Sequence, residues 1–158
     1  MDQIEDKDNP ACERLTINKD GEFCHEGVRI THPGTIAMLF NHLDLDRNGT
    51  YFVRVGREWA AVEVEDAPYV VKAVRERADG LVLILSDGRS ERLGPDELEI
   101  NEENVLYCRV KDRRFPARFS RPAYYQIATF IEPAEEGTFC LSFAGRKIPI
   151  RPRGGSGC

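Results

Sequence analysis

The sequence predicts an α+β protein made of two similar, small, β-rich units, each containing one helix. Short alternating apolar and polar stretches recur between Asp-Gly and Gly-Arg pairs, which is typical of antiparallel strands joined by tight turns. Two stretches place a hydroxyl residue and a proline ahead of apolar residues at helical spacing, which indicates two helices. The segments around these helices match in order and spacing, which indicates an internal duplication.

Four segments follow from this pattern. Residues 1–14 are expected to be a disordered leader and residues 153–158 a flexible Gly-Ser-Cys tail. Residues 15–66 should form an N-terminal β-β-α-β-β unit, and residues 67–152 a C-terminal β-rich unit with one helix. A chain of 158 residues is long enough for two small units packed together.

The first unit is expected to open with a hairpin around Asp20-Gly21 and to close with one around Gly56-Arg57. Between them, Thr31 is the expected helix cap, and Pro33 fits the first turn, where no backbone donor is needed. The apolar stripe of this helix comprises Ile36, Leu39, Phe40 and Leu43.

The second unit is expected to bury a strand at Leu81–Leu85 and to cap its helix with Ser120. The stripe of that helix lies 88 positions after the first, since 124 − 36 = 88, and comprises Tyr124, Ile127, Ala128 and Ile131. The predicted core takes residues from both units: Ile17, Ile36, Leu39, Phe40, Val53, Val62, Val71, Leu83, Ile127, Ile131, Leu141 and Ile148.

Composition excludes several classes of function. With 22 basic and 27 acidic residues, the net charge is 22 − 27 = −5, which argues against binding DNA, RNA or an anionic membrane. The longest apolar runs have five residues, far below the roughly 20 needed for a membrane span. The acidic first ten residues do not resemble a secretory signal, so a cytoplasmic location is expected.

Neither a metal site nor a catalytic site is predicted. The five cysteines are widely spaced, and Cys24-His25 with His32 or Cys12 matches no usual zinc spacing. Asp44–Gly49 matches the start of a calcium loop, but its twelfth position is Val55 instead of Glu, so a turn entering a hairpin is expected. No Walker loop, GxGxxG or GxSxG occurs, so we expect no cofactor and assign no catalytic residues.

One basic concentration is the best candidate for a site. It surrounds the start of the second helix and includes Arg109, Arg118 and Arg121. Arginine presents a planar fork that suits carboxylate or phosphate. The alternative interpretation is a solvated hairpin surface that pairs with nearby acidic residues.

The order of several segments resembles the bacterial domain-of-unknown-function 1285 (DUF1285) family. The resemblance rests on residues 15–27, on the Glu-Val-Glu-Asp-Ala-Pro stretch within Val62–Tyr69, and on Arg109 with Ala117–Arg121 and Tyr124-Tyr125. It covers about Leu15 to Pro152. The chain departs from the family at Val55–Trp59, where the family usually has a Thr-Pro pair before its Glu.

The resemblance implies a duplicated architecture whose second unit is superficially like a pleckstrin-homology barrel. It also implies a ligand pocket between the units, a nucleotide-like ligand and a role in signalling. The ligand-binding residues carried over by position are Glu65, Asp66, Arg109, Arg118 and Arg121.

The leading functional hypothesis is a non-enzymatic cytosolic ligand-binding or regulatory module for an anionic, nucleotide-like small molecule. One alternative is a protein-interaction module that uses exposed strand edges to pair with a partner. Another is an enzyme acting on a phosphorylated small molecule, for which Asp66 is the candidate base. The sequence does not define an oligomeric state.

Overall fold

The computed structural model describes residues 14–94 and 98–153. Nearly all of the predicted leader and tail, together with Cys12 and Cys158, lie outside the described residues. The chain divides into two units, Met1–Pro68 and Tyr69–Cys158. In the described residues, these units contain two mixed sheets and two helices, which confirms the predicted α+β class.

The described part of the first unit, residues 14–68, forms a six-stranded sheet with one helix. Its strands run in the order β3-β2-β1-β6-β5-β4, with β1 and β6 parallel and the other neighbours antiparallel. The elements are β1 (Leu15–Ile17), β2 (Phe23–His25), β3 (Val28–Arg29), α1 (Pro33–Asn41), β4 (Leu43–Leu45), β5 (Tyr51–Val55) and β6 (Glu58–Val64).

Helix α1 begins one residue later than expected. Its cap is His32, whose Nδ1 accepts a hydrogen bond from the Thr35 N–H at 3.1 Å, and Pro33 is the first helical residue. The prediction of Thr31 as the cap was therefore wrong. A hydroxyl is the more usual cap, but a proline at the first helical position makes the residue directly before it the cap.

The second unit is a nine-stranded sheet with one helix. Its strands run in the order β9-β8-β7-β12-β11-β10-β15-β14-β13. The elements are β7 (Tyr69–Arg77), β8 (Gly80–Leu85), β9 (Ser90–Arg92), β10 (Leu98–Ile100), β11 (Leu106–Val110), β12 (Phe115–Phe119), α2 (Arg121–Ala128), β13 (Ile131–Pro133), a 3₁₀ turn (Glu135–Gly137), β14 (Phe139–Phe143) and β15 (Arg146–Pro152).

The two sheets share a strand order. The last six strands of the second sheet, β12-β11-β10-β15-β14-β13, repeat β3-β2-β1-β6-β5-β4 with each number raised by nine. The three strands after each helix also keep one spacing, since 131 − 43, 139 − 51 and 146 − 58 all equal 88. Strands β7–β9 have no counterpart among the described residues of the first unit, 14–68.

Nine of the twelve predicted core residues are buried, and the other three are half-buried. Ile36 lies in the first part of α1, and Ile131 and Ile148 flank Leu141 on the last three strands of the sheet. Of the described helices, neither is long and apolar enough to cross a membrane.

Candidate functional site

Two of the predicted arginines lie on one face of the second sheet. In the β11–β12 hairpin, Tyr107 stands opposite Arg118 and Arg109 stands opposite Pro116. Because side chains two apart on a strand point the same way, all four share a face. Arg109 and Arg118 are diagonal neighbours, a relation that places two residues roughly 7–8 Å apart and their Cβ atoms somewhat closer.

The same face continues across β10 and β15. Glu99 stands opposite Tyr107, and Arg151 stands opposite Glu99. The Arg153 guanidinium lies 3.9 Å from the centre of the Tyr107 ring, and its Nη1 is 3.1 Å from Glu99 Oε1. We call this set the arginine face; its members are Arg109, Arg118, Arg151, Arg153, Tyr107 and Glu99.

The arginine face is positively charged in a chain of net charge −5. It joins four guanidinium groups to one carboxylate, and Arg109 and Arg151 are exposed. Tyr107 is only 3% exposed. Arginine stems cover apolar surface while their heads stay in water, so the buried ring helps to hold the cations in place.

Arg121 is placed on a different element. It is the exposed first residue of α2, whose Ala123 and Ile127 are completely buried. Phe130, two residues past α2, packs edge-on against Phe143 at 4.9 Å between ring centres. Phe143 points to the same side of β14 as the buried Leu141, so α2 packs toward the core face of the sheet and not toward the arginine face.

The two predicted acidic residues belong to the first unit. Glu65 accepts a hydrogen bond from the Lys19 N–H at 3.0 Å, and its own N–H donates to the Ile17 carbonyl at 2.9 Å. These contacts tie the end of β6 to the β1–β2 turn. Asp66 is half-buried shortly before Pro68, at the end of the unit.

A half-buried ion pair that was not predicted from the sequence joins Lys111 and Asp87 in the second unit. Lys111 Nζ is 2.6 Å from Asp87 Oδ2, and the two side chains are 25% and 6% exposed. The same ammonium lies 5.2 Å from the centre of the Tyr69 ring. The Lys111 N–H donates to both Glu91 carboxylate oxygens at 3.2 Å.

Burial and the Asp87 charge both raise the pKa of the Tyr69 phenol well above its usual value. Burial is the larger cause, because it disfavours the phenolate. Tyr69 therefore keeps its proton and cannot serve as a base at neutral pH.

Lys111 also begins a strained turn. Lys111, Asp112 and Arg113 have φ of 58°, 58° and 69°, and the Arg114 N–H donates to the Lys111 carbonyl at 3.1 Å. The left-handed region costs an ordinary L-residue about 1–2 kcal/mol, and Gly and Asn are the residues that adopt it most readily in turns. A four-residue loop without Gly or Asn between two strands is the one signal in the sequence that could have indicated this strain.

The predicted turn at Asp44–Gly49 is a hairpin turn between β4 and β5. The Asp46 carboxylate accepts hydrogen bonds from the N–H groups of Asn48 at 2.8 Å and Thr50 at 2.9 Å. Within residues 14–94 and 98–153, no group of three His, Cys, Asp or Glu side chains could hold a metal ion.

No protein-family model matches this chain, and no curated protein does. Two solved structures are similar to it. A DUF1285 family protein from Silicibacter pomeroyi DSS-3 has a TM-score of 0.72 and 20% identity over 88% of this chain and 80% of that one. A DUF1285 family protein from Shewanella baltica OS155 has a TM-score of 0.62 and 18% identity over 75% of this chain and 93% of that one. The chain therefore has a DUF1285-like fold, and the resemblance predicted from its sequence is confirmed at the level of the fold.

Proposed function

We propose that the chain is a non-catalytic cytosolic ligand-binding or regulatory module whose arginine face binds a phosphate-bearing, nucleotide-like small molecule. One observation carries the proposal: Arg109 and Arg118 lie on adjacent strands and on the same face of the sheet. They are diagonal neighbours, because Arg109 stands opposite Pro116 and Arg118 stands opposite Tyr107. Strand pairing fixes the spacing of the two residues, which is short enough for both guanidinium groups to reach one ligand.

The chemistry of the face suits a phosphate ester. Each guanidinium can donate two parallel hydrogen bonds to one oxyanion, and two such groups match the charge of a phosphate dianion. One face of the Arg153 guanidinium lies over the Tyr107 ring. The opposite face of such a group can stack on an aromatic base. A ligand with a phosphate and a planar base would use both features.

A thermal-shift titration with ATP, ADP, AMP and pyrophosphate tests this proposal. By mass action, a ligand at about 100 times its Kd stabilises the folded protein by about 2.7 kcal/mol, which corresponds to a rise of several degrees in Tm. Because hydrogen bonds to charged groups are worth about 1.5–3 kcal/mol, Arg109→Ala or Arg118→Ala should weaken binding about tenfold or more.

The matched control is Arg75→Ala, since Arg75 is an exposed arginine on β7 of the same unit. It should leave the ligand-dependent shift unchanged. If none of the four anions stabilises the wild-type protein, or if Arg75→Ala weakens binding as much as Arg118→Ala, the proposal fails.

A protein-interaction role is the second candidate, and a different observation favours it. The β5–β6 hairpin exposes Trp59 by 56% and Val55 by 44%, and tryptophan is enriched where proteins bind partners. The terminal strands of both sheets have only two or three residues, which discourages edge pairing. A partner would therefore contact the hairpin, and Trp59→Ala should abolish its capture while leaving anion binding intact.

We also infer that the two units arose by internal duplication. The shared strand order and the constant spacing of 88 residues after each helix support this inference. The likeness of the second unit to a pleckstrin-homology barrel remains a prediction from the family resemblance. Strands β7–β9 and the arginine face distinguish the second unit from the described residues of the first.

A further inference from the structure

The strained turn at Lys111–Arg114 is joined directly to the arginine face. Arg109 Nε donates a hydrogen bond to the Arg113 carbonyl at 3.2 Å. Arg109 is exposed, so the same guanidinium that faces solvent also holds the turn. The edge of a guanidinium that carries Nε and one Nη is one of the two edges with which arginine binds an oxyanion bidentately.

The other end of the turn is anchored to two half-buried acidic residues. The Lys111 N–H is held by the Glu91 carboxylate, and its ammonium is held by the nearly buried Asp87. The three successive turn residues Lys111, Asp112 and Arg113 all have left-handed backbone, and none of them is a glycine. Such conformations persist only where the surroundings hold them in place.

We propose that this turn is a two-state element that responds to anion binding on the arginine face. An oxyanion bound along the Nε edge of Arg109 takes that donor away from the Arg113 carbonyl. The turn then loses one of its ties, and its left-handed residues relax while Lys111 stays anchored to Asp87. This inference rests on the proposed function, because it concerns regulation through the same site.

The coupling has a definite sign. The anion binds more tightly to the protein with the relaxed turn, because there it does not compete with the Arg113 carbonyl. Any change that stabilises the original turn must therefore weaken anion binding, since a ligand shifts a two-state equilibrium only through its different affinities for the two states. Glycine adopts left-handed backbone without steric cost, so glycine at position 113 stabilises the turn.

The experiment compares Arg113→Gly with Arg113→Ala by calorimetric titration of pyrophosphate. Both variants lose the same charge, but only glycine relieves the strain. The Kd of Arg113→Gly should exceed that of Arg113→Ala by roughly fivefold, the lower end of typical coupling. In the wild type, saturating pyrophosphate should also speed hydrogen exchange of the Arg114 amide, which donates to the Lys111 carbonyl.

The outcomes separate the two proposals. If the wild type does not bind pyrophosphate, both the anion site and the coupling fail. If it binds but the two variants have equal Kd, or if Arg114 exchange is unchanged or slower in the complex, the coupling fails and the anion site stands.

Discussion

At the scale of single residues, the Lys111–Asp87 ion pair is less exposed to solvent than the Arg29–Glu22, Arg92–Asp79, Lys147–Glu132 and Arg153–Glu99 pairs. An ion pair taken out of water is weak evidence for stability, but removing one partner leaves the other charge uncompensated. Removing one partner of this pair should therefore lower the free energy of unfolding by more than the intact pair contributes to it.

Lys111→Met should destabilise the protein by about 2 kcal/mol, less than for a fully buried pair because Lys111 is one-quarter exposed. Lys147→Met is the matched control, since Lys147 lies the same 2.6 Å from Glu132 but both groups are well exposed. Urea unfolding should show a clearly smaller loss for the control. Equal losses would mean that burial of Asp87 has no energetic consequence.

Tyr69 should make the protein sensitive to alkali. Because burial raises the pKa of its phenol in the folded state above the unfolded value, its contribution is fully present below about pH 10. It is lost as the pH rises further, since the unfolded chain then releases a proton that the folded protein retains.

The comparison is Tyr69→Phe against Tyr125→Phe, whose tyrosine is 59% exposed. Between pH 9 and about 11, stability measured by urea unfolding should fall less steeply in Tyr69→Phe than in the wild type. Tyr125→Phe should follow the wild type. Identical slopes for all three proteins would contradict the burial argument.

The arginines could be placed from the sequence, whereas the Lys111–Asp87 ion pair could not, because the arginines are close in sequence and the ion pair is not. Arg109 and Arg118 sit in one hairpin, so a local cluster of charges and the two-residue strand period suffice to place them together. Asp87 and Lys111 are 24 residues apart. They meet only because β7 pairs with both β8 and β12, a long-range pairing that no local pattern specifies.

At the scale of secondary-structure elements, helix α1 depends on an unusual cap. His32 takes the place that Ser, Thr, Asp or Asn usually fills, and its Nδ1 accepts the Thr35 N–H. The cap of α2 is the expected Ser120, whose Oγ accepts the Ala123 N–H at 3.3 Å. The sequence thus predicted that each helix begins with a side-chain cap followed by a proline. The position of the cap of α1 depended on which residue directly precedes Pro33.

Losing the His32 cap should cost about 1 kcal/mol, the usual value for a lost side-chain cap. His32→Ala should show this loss in thermal unfolding, while His32→Asn should keep most of the stability because its amide oxygen can accept the same N–H. Thr31→Ala is the control and should be close to neutral. A larger loss in Thr31→Ala than in His32→Ala would restore Thr31 as the cap.

At the scale of the whole molecule, one strand order serves two different surfaces. The register of the first unit places Arg29 opposite Cys24 on the β2–β3 hairpin, where the second unit has Arg118 opposite Tyr107. Arg29 Nη1 is 2.9 Å from Glu22 Oε2. The second unit gathers four arginines around the Tyr107 ring, and this concentration of cations is the reason to seek a ligand there.

Charge alone would not have indicated an anion-binding protein, because the chain as a whole carries −5. The arginine face is a local exception within an acidic molecule, and its attraction for anions should be short-ranged. Salt screens charges over about 8 Å at physiological ionic strength. A diffuse attraction for anions would therefore vanish at about 0.15 M salt, whereas binding through direct hydrogen bonds should persist.

The central claim is that Arg109 and Arg118 bind a phosphate-bearing anion on one face of the second sheet. The most direct measurement is a titration of the ¹⁵N-labelled protein with pyrophosphate at physiological salt, followed by amide chemical shifts. Pyrophosphate should cause saturable shifts concentrated on β10, β11 and β12 that are lost in the Arg109→Ala, Arg118→Ala double variant and kept in Arg75→Ala. Shifts confined to the first unit, or unchanged in the double variant, would contradict it.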